Sequence, residues 1–267
     1  MRPKRKSKFS LFCWNIGNPS EERAKRQAIW LDKRPEHVFV LTETKNSSGC
    51  LFIEKYFQER NYDVFFPKPK NNEYGTMIIS KYSLKTSNFS NKITYLRSRI
   101  ASVKLELSTG LLEIIGVYVP SRNSEPKKVI KKKRFLENLI GTLKKKPTSS
   151  KTIFCGDLNI LEPNHIPRYS FFQKWEYGFY QNLTDNKLTD AFRHLSPRAK
   201  EYSWIGRTGD GYRYDHCFAS KDLLSSLHES YYLSQPRKMK LSDHSALVTT
   251  FNLKPLNLKP KTNPMLF

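Results

Sequence analysis

Between Ile153 and Ile160 a run of apolar, strand-forming residues stops at Gly156, and two polar side chains, Asp157 and Asn159, follow one residue apart. In extended chain, side chains two apart face the same way, so an acid and an amide would project together from the end of a buried strand. Gly, Asp and Asn are equally the usual residues of a turn, and the stretch alone does not separate a turn from a site. Other polar residues hold similar places: Asn15 after Phe9–Trp14, Glu43 after His37–Leu41, Tyr118 within Leu111–Val119, Asp215 within Tyr212–Ala219, and Asp243-His244 before Ala246–Phe251. Together they could hydrolyse a phosphodiester. Glu43 can hold Mg²⁺, a hard cation content with few carboxylates plus water and substrate phosphate. Asp157 can orient or deprotonate a water, and Asn159 can fix that water and a phosphate oxygen. His244 can donate to a phosphoryl oxygen while a carboxylate such as Asp215 orients it.

The elements that must position these residues can be read from pattern. Ser20 caps a helix with Arg23 to Leu31 as its body, and a second helix runs from Leu51 to Arg60. Short strands follow at Tyr62–Phe66 and Thr76–Ser80, and Ser108-Thr109-Gly110 joins Ile100–Leu107 to Leu111–Val119 as a hairpin. Pro126 to Lys146 is helical, with Val129, Ile130, Leu136, Leu139 and Leu143 as its apolar face and its lysines in solvent. Tyr169–Tyr180 reads as an irregular, aromatic-rich region. Many strands with few helices between them suit an α/β fold of two mixed sheets packed face to face with helices outside. No linker splits the chain, so one domain, 9–253, is expected between a basic flexible arm (1–8) and a basic tail (254–267).

Composition limits the partners. The 47 Lys+Arg against 24 Asp+Glu give the 267-residue chain a formal net charge of +23, which draws polyanions, nucleic acid first and an anionic membrane second. No apolar run is long enough to cross a bilayer, and the four cysteines form no zinc spacing. The basic N-terminus leads into a strand rather than a signal-peptide core, so a cytoplasmic, DNA-associated monomer is expected.

Six motifs carry a resemblance: Trp14-Asn15-Ile16, Leu41-Thr42-Glu43-Thr44-Lys45, Tyr118-Val119-Pro120, Gly156-Asp157-Leu158-Asn159, Arg213-Tyr214-Asp215 and Ser242-Asp243-His244. Their order resembles the endonuclease/exonuclease/phosphatase superfamily. The stretch from Leu188 through Tyr202-Ser203-Trp204 to Asp215 is similar to its exonuclease III and apurinic/apyrimidinic endonuclease branch. The resemblance implies a four-layer α/β sandwich and Mg²⁺-dependent phosphodiester cleavage, with Mn²⁺ able to substitute. It implies Glu43 as the main metal ligand with Asn15 beside it and Asp243 near the metal. Asp157 would activate the water, Asn159 would position it, Tyr118 would contact the phosphate, and Asp215 would orient His244. Substrate contacts are expected from Asn15, Arg122, Trp204, Tyr212 and Arg213, and the substrate is expected to be duplex DNA with abasic or 3′-damaged sites. A Tyr at 118, where lipid- and inositol-directed members usually carry His, favours this branch. A silent nucleic-acid binder would be expected to lack Glu43, Asp157 or His244, and all three are present. The loop Ile16-Gly17-Asn18-Pro19-Ser20 departs from the branch, which bears on substrate preference more than on catalysis.

Overall fold

The computed structural model describes residues 8–147 and 150–262. The expected arm thus lies outside the described residues except for Lys8, as do residues 263–267 of the expected tail. The first part of the chain contributes β1 (Phe9–Asn15), α1 (Glu21–Asp32), β2 (Val38–Thr44), α2 (Ser48–Gln58), β3 (Asp63–Phe65) and β4 (Gly75–Ser80). It continues with β5 (Leu84–Thr86), β6 (Ile100–Leu107), β7 (Gly110–Tyr118), α3 (Pro126–Leu143), β8 (Thr152–Asp157), α4 (Lys174–Asp185), β9 (Leu188–Asp190) and α5 (Ala191–Leu195). The remainder is β10 (Trp204–Ile205), β11 (Gly211–Tyr212), β12 (Asp215–Ser220), α6 (Lys221–Leu224), β13 (Leu227–Leu233), α7 (Gln235–Lys238) and β14 (Ala246–Phe251).

These form two six-stranded sheets, β13-β14-β1-β2-β4-β3 and β5-β6-β7-β8-β12-β9. Both are mixed, since β1–β2 and β7–β8 run parallel and the other pairs antiparallel. The period of two explains the layering. Leu11 and Cys13 of β1, with Val40 of the neighbouring β2, face the other sheet, where they meet Ile114, Ile153, Cys155 and Cys217. Phe12 and Trp14, between them in sequence, face outward and are covered by Ala24 and Ala28 of α1 and Ile53 and Phe57 of α2. Phe154 and Phe218 of the second sheet are covered likewise by Phe135 and Leu139 of α3 and Phe179 and Leu183 of α4. The result is the four-layer sandwich.

Close backbone approach fixes the centre of the second sheet. A Cβ on Gly156, whose φ is +153°, would fall 1.8 Å from the Val117 carbonyl oxygen, so only glycine lets β8 enter its turn against β7. All four cysteines are free and buried, as their apolar surroundings suggest. No helix among the described residues is long and apolar enough to cross a membrane.

Two expectations are corrected. The region Tyr169–Tyr180 contains the start of α4, capped by reciprocal hydrogen bonds between Gln173 and Glu176. The segment Tyr212–Ala219 is not one strand: β11 pairs with β10 in a small hairpin, while β12 joins the second sheet beside β8. Residues 254–262 of the expected basic tail are bound to the domain by backbone hydrogen bonds. Ser108 donates its N–H to the Lys254 carbonyl, Leu256 to Glu106, Ser83 to Asn257 and Lys259 to Lys81. Lys259 pairs with Asp63, and Lys261 with Asp32 at 3.0 Å, so this strap ties the β5–β6 edge of one sheet to β3 and α1 of the other.

Candidate active site

The ends of both sheets meet at one rim, because the register puts polar residues level there. Asp157 stands between Tyr118 on the parallel strand β7 and Asp215 on the antiparallel strand β12. Asn15 closes β1 beside Thr42 of β2, and the ladder slips at Glu43, whose φ of +57° swings its carboxylate off the strand. These side chains open onto a cavity of about 300 Å³ lined by Glu43, Tyr118, Asp157, Asn159 and His244, with Tyr74, Phe171, Phe172, Trp204 and Tyr214 among its walls.

The polar network crosses between the sheets. Asn15 Nδ2 donates to Glu43 Oε2 at 2.9 Å and to Asp157 Oδ2 at 2.8 Å, and the Tyr118 hydroxyl donates to Glu43 Oε2 at 3.1 Å. The Asn159 amide donates to Asp157 Oδ1 at 2.9 Å, and its side-chain Nδ2 donates to the Val119 carbonyl at 3.0 Å. His244 Nδ1 lies 2.7 Å from Asp215 Oδ2, which leaves Nε2 to face the cavity. The backbone around the pair is held too. Ser203 Oγ accepts from the amides of Tyr214 and Asp215, and Trp14 Nε1 donates to the His244 carbonyl at 3.2 Å.

Burial and charge set the protonation states. Desolvation and the neighbouring Asp215 push the Asp157 carboxyl well above the ordinary aspartate range, against His244, Asn15 and the Asn159 amide. For His244, burial disfavours the imidazolium, but Asp215, then Asp157 and Asp243, outweigh it and raise its pKa. Burial, Glu43 and Asp157 raise Tyr118, which keeps it a phenol that donates. The site thus pairs a carboxylate ready to take a proton with an imidazolium ready to give a hydrogen bond.

A divalent cation fits this donor set at one point. Both hydrogen bonds to Glu43 fall on Oε2, so Oε1 remains for an ion, and the strained φ of +57° holds the carboxylate toward the cavity. Among the described residues no group of three or more His, Cys, Asp or Glu is spaced to hold a metal. Two expected ligands stand differently. Asn15 turns its Nδ2 to the carboxylates while its Oδ1 accepts from the Gly17 amide at 2.9 Å. Asp243 is exposed and takes a hydrogen bond from Trp204 Nε1 at 2.9 Å, where it fixes that wall.

The expected substrate contacts divide. Trp204 forms a wall, and Tyr212 lies behind it, stacked between Tyr169 and Tyr214 with ring centroids 4.4 and 5.2 Å away. Arg213 is not at the rim. It is fully buried, with Glu162 and Asp190 on its guanidinium at 2.7 and 2.8 Å, so it supports β12 and touches no substrate. Arg122 borders the cavity, but its charge is taken by the buried Glu176 and it also donates to the Phe171 carbonyl. The altered loop is pinned: Arg23 donates to the Gly17 carbonyl at 2.7 Å, and Asn18 donates its amide to Glu43 O at 2.8 Å.

Lys132 and Glu176 border this arrangement without having been legible in the motifs. Lys132 lies on the stripe of Phe135, Leu136, Leu139 and Leu143, whereas Ile130, expected inside, is 64% exposed. A lysine at core-facing helical spacing was the available signal. Burial draws its pKa down to about 8 despite Glu176 beside it.

Residues 12–244 match the model of the Endonuclease/Exonuclease/phosphatase family. The chain is 28% identical over 271 residues to exodeoxyribonuclease III of Haemophilus influenzae, covering 91% of this chain and all of that protein, the full 100%. Solved structures of similar fold include an AP endonuclease from Archaeoglobus fulgidus, with a TM-score of 0.75, 21% identity, and coverage of 91% of this chain and 99% of that one. The 3′ phosphatase NExo from Neisseria bound to product DNA hairpin superposes with a TM-score of 0.78 at 20% identity, over 91% of this chain and 99% of that one.

Proposed function

Since the chain belongs to the endonuclease/exonuclease/phosphatase family, we propose that it is a metal-dependent DNA-repair nuclease that incises duplex DNA 5′ to abasic sites and trims damaged 3′ ends. The observation that carries this reading is the convergence of Glu43, Asp157, Asn159 and the Asp215–His244 pair on one cavity.

In this mechanism Asp157 takes a proton from the attacking water, which Asn159 Oδ1 holds in line, while Asn159's own amide keeps the carboxylate oriented. His244, kept protonated by Asp215, donates to a non-bridging phosphoryl oxygen as negative charge gathers there. Tyr118 donates to the same phosphate once substrate competes with Glu43 for its hydroxyl. Glu43 would hold a Mg²⁺ ion, or Mn²⁺ in its place, which would supply Lewis-acid polarisation of the phosphate. Trp204, Phe171 and Phe172 offer apolar faces to an extruded sugar or an exposed base. The excess of basic residues accounts for attraction to the duplex.

A duplex with one abasic-site analogue tests the reading. Incubated with Mg²⁺ it is nicked 5′ to the site, and chelator abolishes the nick; a duplex left intact with Mg²⁺ overturns the proposal. Single strands, RNA and 3′-blocked duplexes in the same panel rank the substrates.

A further inference from the structure

Lysine is seldom found where Lys132 sits. Its side chain is 1% exposed, in the apolar stripe of α3, and the carboxylate it pairs with, Glu176, is 0% exposed. Burying an ammonium group is costly unless it is fully paired, so such a residue calls for a reason. Pairing with Glu176 does not supply one. That carboxylate already accepts two hydrogen bonds from Arg122 and one from the Gln173 amide, so the trio of Arg122, Lys132 and Glu176 holds one cation more than it needs.

A second hydrogen bond of Lys132 is different in kind. Its Nζ donates to the main-chain carbonyl of Asn159 at 2.6 Å. Asn159 has a φ of +47°, a left-handed conformation that turns its carbonyl out of the sheet ladder and away from backbone donors. Its amide and its Nδ2 are held by Asp157 and Val119, which leaves Oδ1 as the group facing water or substrate. Rotation of the turn about Asn159 would break the hydrogen bond from its N–H to Asp157 and displace Oδ1 at the same time.

We infer that Lys132 is a positioning residue, whose buried ammonium clamps the Asn159 carbonyl and thereby sets both the Asp157 carboxylate and the Asn159 side chain for attack. The inference rests on the nuclease reading above. Because Arg122 and Glu176 remain a balanced pair without it, Lys132→Met leaves no carboxylate stranded.

The test is a double-mutant cycle on abasic-site duplex with Mg²⁺, using Lys132→Met, Asn159→Ala and the combination. Lys132→Met lowers kcat at least tenfold with KM within twofold, and the same change in the Asn159→Ala background costs less than threefold. Lys132→Gln, which keeps a donor, recovers part of the loss. An unchanged kcat, or losses that multiply fully in the double variant, overturns the inference. If Lys132→Met does not fold, Lys132→Gln takes its place in the cycle, judged by the same non-additivity. An inactive wild-type chain would count against the nuclease reading instead. In that case the ¹H–¹⁵N shift of the Asn159 amide, read without substrate, decides: it moves on replacing Lys132 if the clamp exists and stays unmoved if it does not.

Discussion

Asp157 has two donors on its oxygens, the Asn15 side chain and the Asn159 amide, and a second buried carboxylate next door. Asp157→Asn keeps the size and much of the hydrogen bonding but cannot accept a proton. Turnover should fall by about 10²–10⁴, the usual worth of a general base, while the affinity for abasic duplex measured by fluorescence anisotropy at fixed salt stays within a factor of about two. Full turnover in that variant would remove Asp157 from the mechanism. Residues of this kind are legible in sequence because each stands at or beside one end of an apolar run, where a carboxylate or imidazole has no packing purpose. Arg213 and Lys132 are harder. The partners that bury Arg213 lie 51 and 23 positions upstream, and those of Lys132 lie 27 and 44 downstream. Nothing local separates a cation bound for the core from one bound for phosphate.

At the scale of elements, Arg213 belongs to a joint between β12, β9 and the chain leaving the active-site turn. Glu162 takes bidentate hydrogen bonds from Arg193 and from Arg213, and Asp190 takes Arg213, Tyr180 and His216. Burial alone would raise both carboxyls. Arg193 and Arg213 instead hold Glu162 down to about 2 from an ordinary 4.5, and Arg213 with His216 holds Asp190 below the usual range. A depressed carboxyl contributes stability that is complete above its unfolded pKa and disappears as pH falls through the folded one. Urea midpoints should therefore fall steeply from pH 4.5 to about 2, the window set by Glu162. In Arg213→Met that dependence should flatten, with a loss of about 3–5 kcal/mol at neutral pH, chiefly because the buried Asp190 loses its guanidinium partner. An equally steep acid profile in the variant would show that the joint is not its source. Strands and the first three helices could be read from periodicity. The aromatic residues crowding the start of α4 concealed its 3.6-residue repeat, and only the capping pair Gln173 and Glu176 marks its start.

For the whole molecule, the strap at 254–262 is what closes the sandwich on the side away from β14. Ending the chain after Leu253 should lower the melting temperature by about 5 °C or more, as expected for a loss of a few kcal/mol in a domain of this size, with activity at low temperature retained. An unchanged melting curve would make the strap dispensable. Its Lys and Pro content and lack of periodicity read only as a basic tail, because backbone hydrogen bonds, its main attachment, have no signature in side-chain composition. The bonds Asn15–Asp157 and Tyr118–Glu43 have another meaning at this scale, since each runs from one sheet to the other. The cleft is a seam, and the two halves of the proposed reaction are bolted to separate plates: Glu43, the proposed metal ligand, rides on one, and Asp157, the proposed base, on the other. Their spacing is then a gauge of how the plates lie, so heat or a substitution deep between the sheets can silence the enzyme by a slip too small to unfold it.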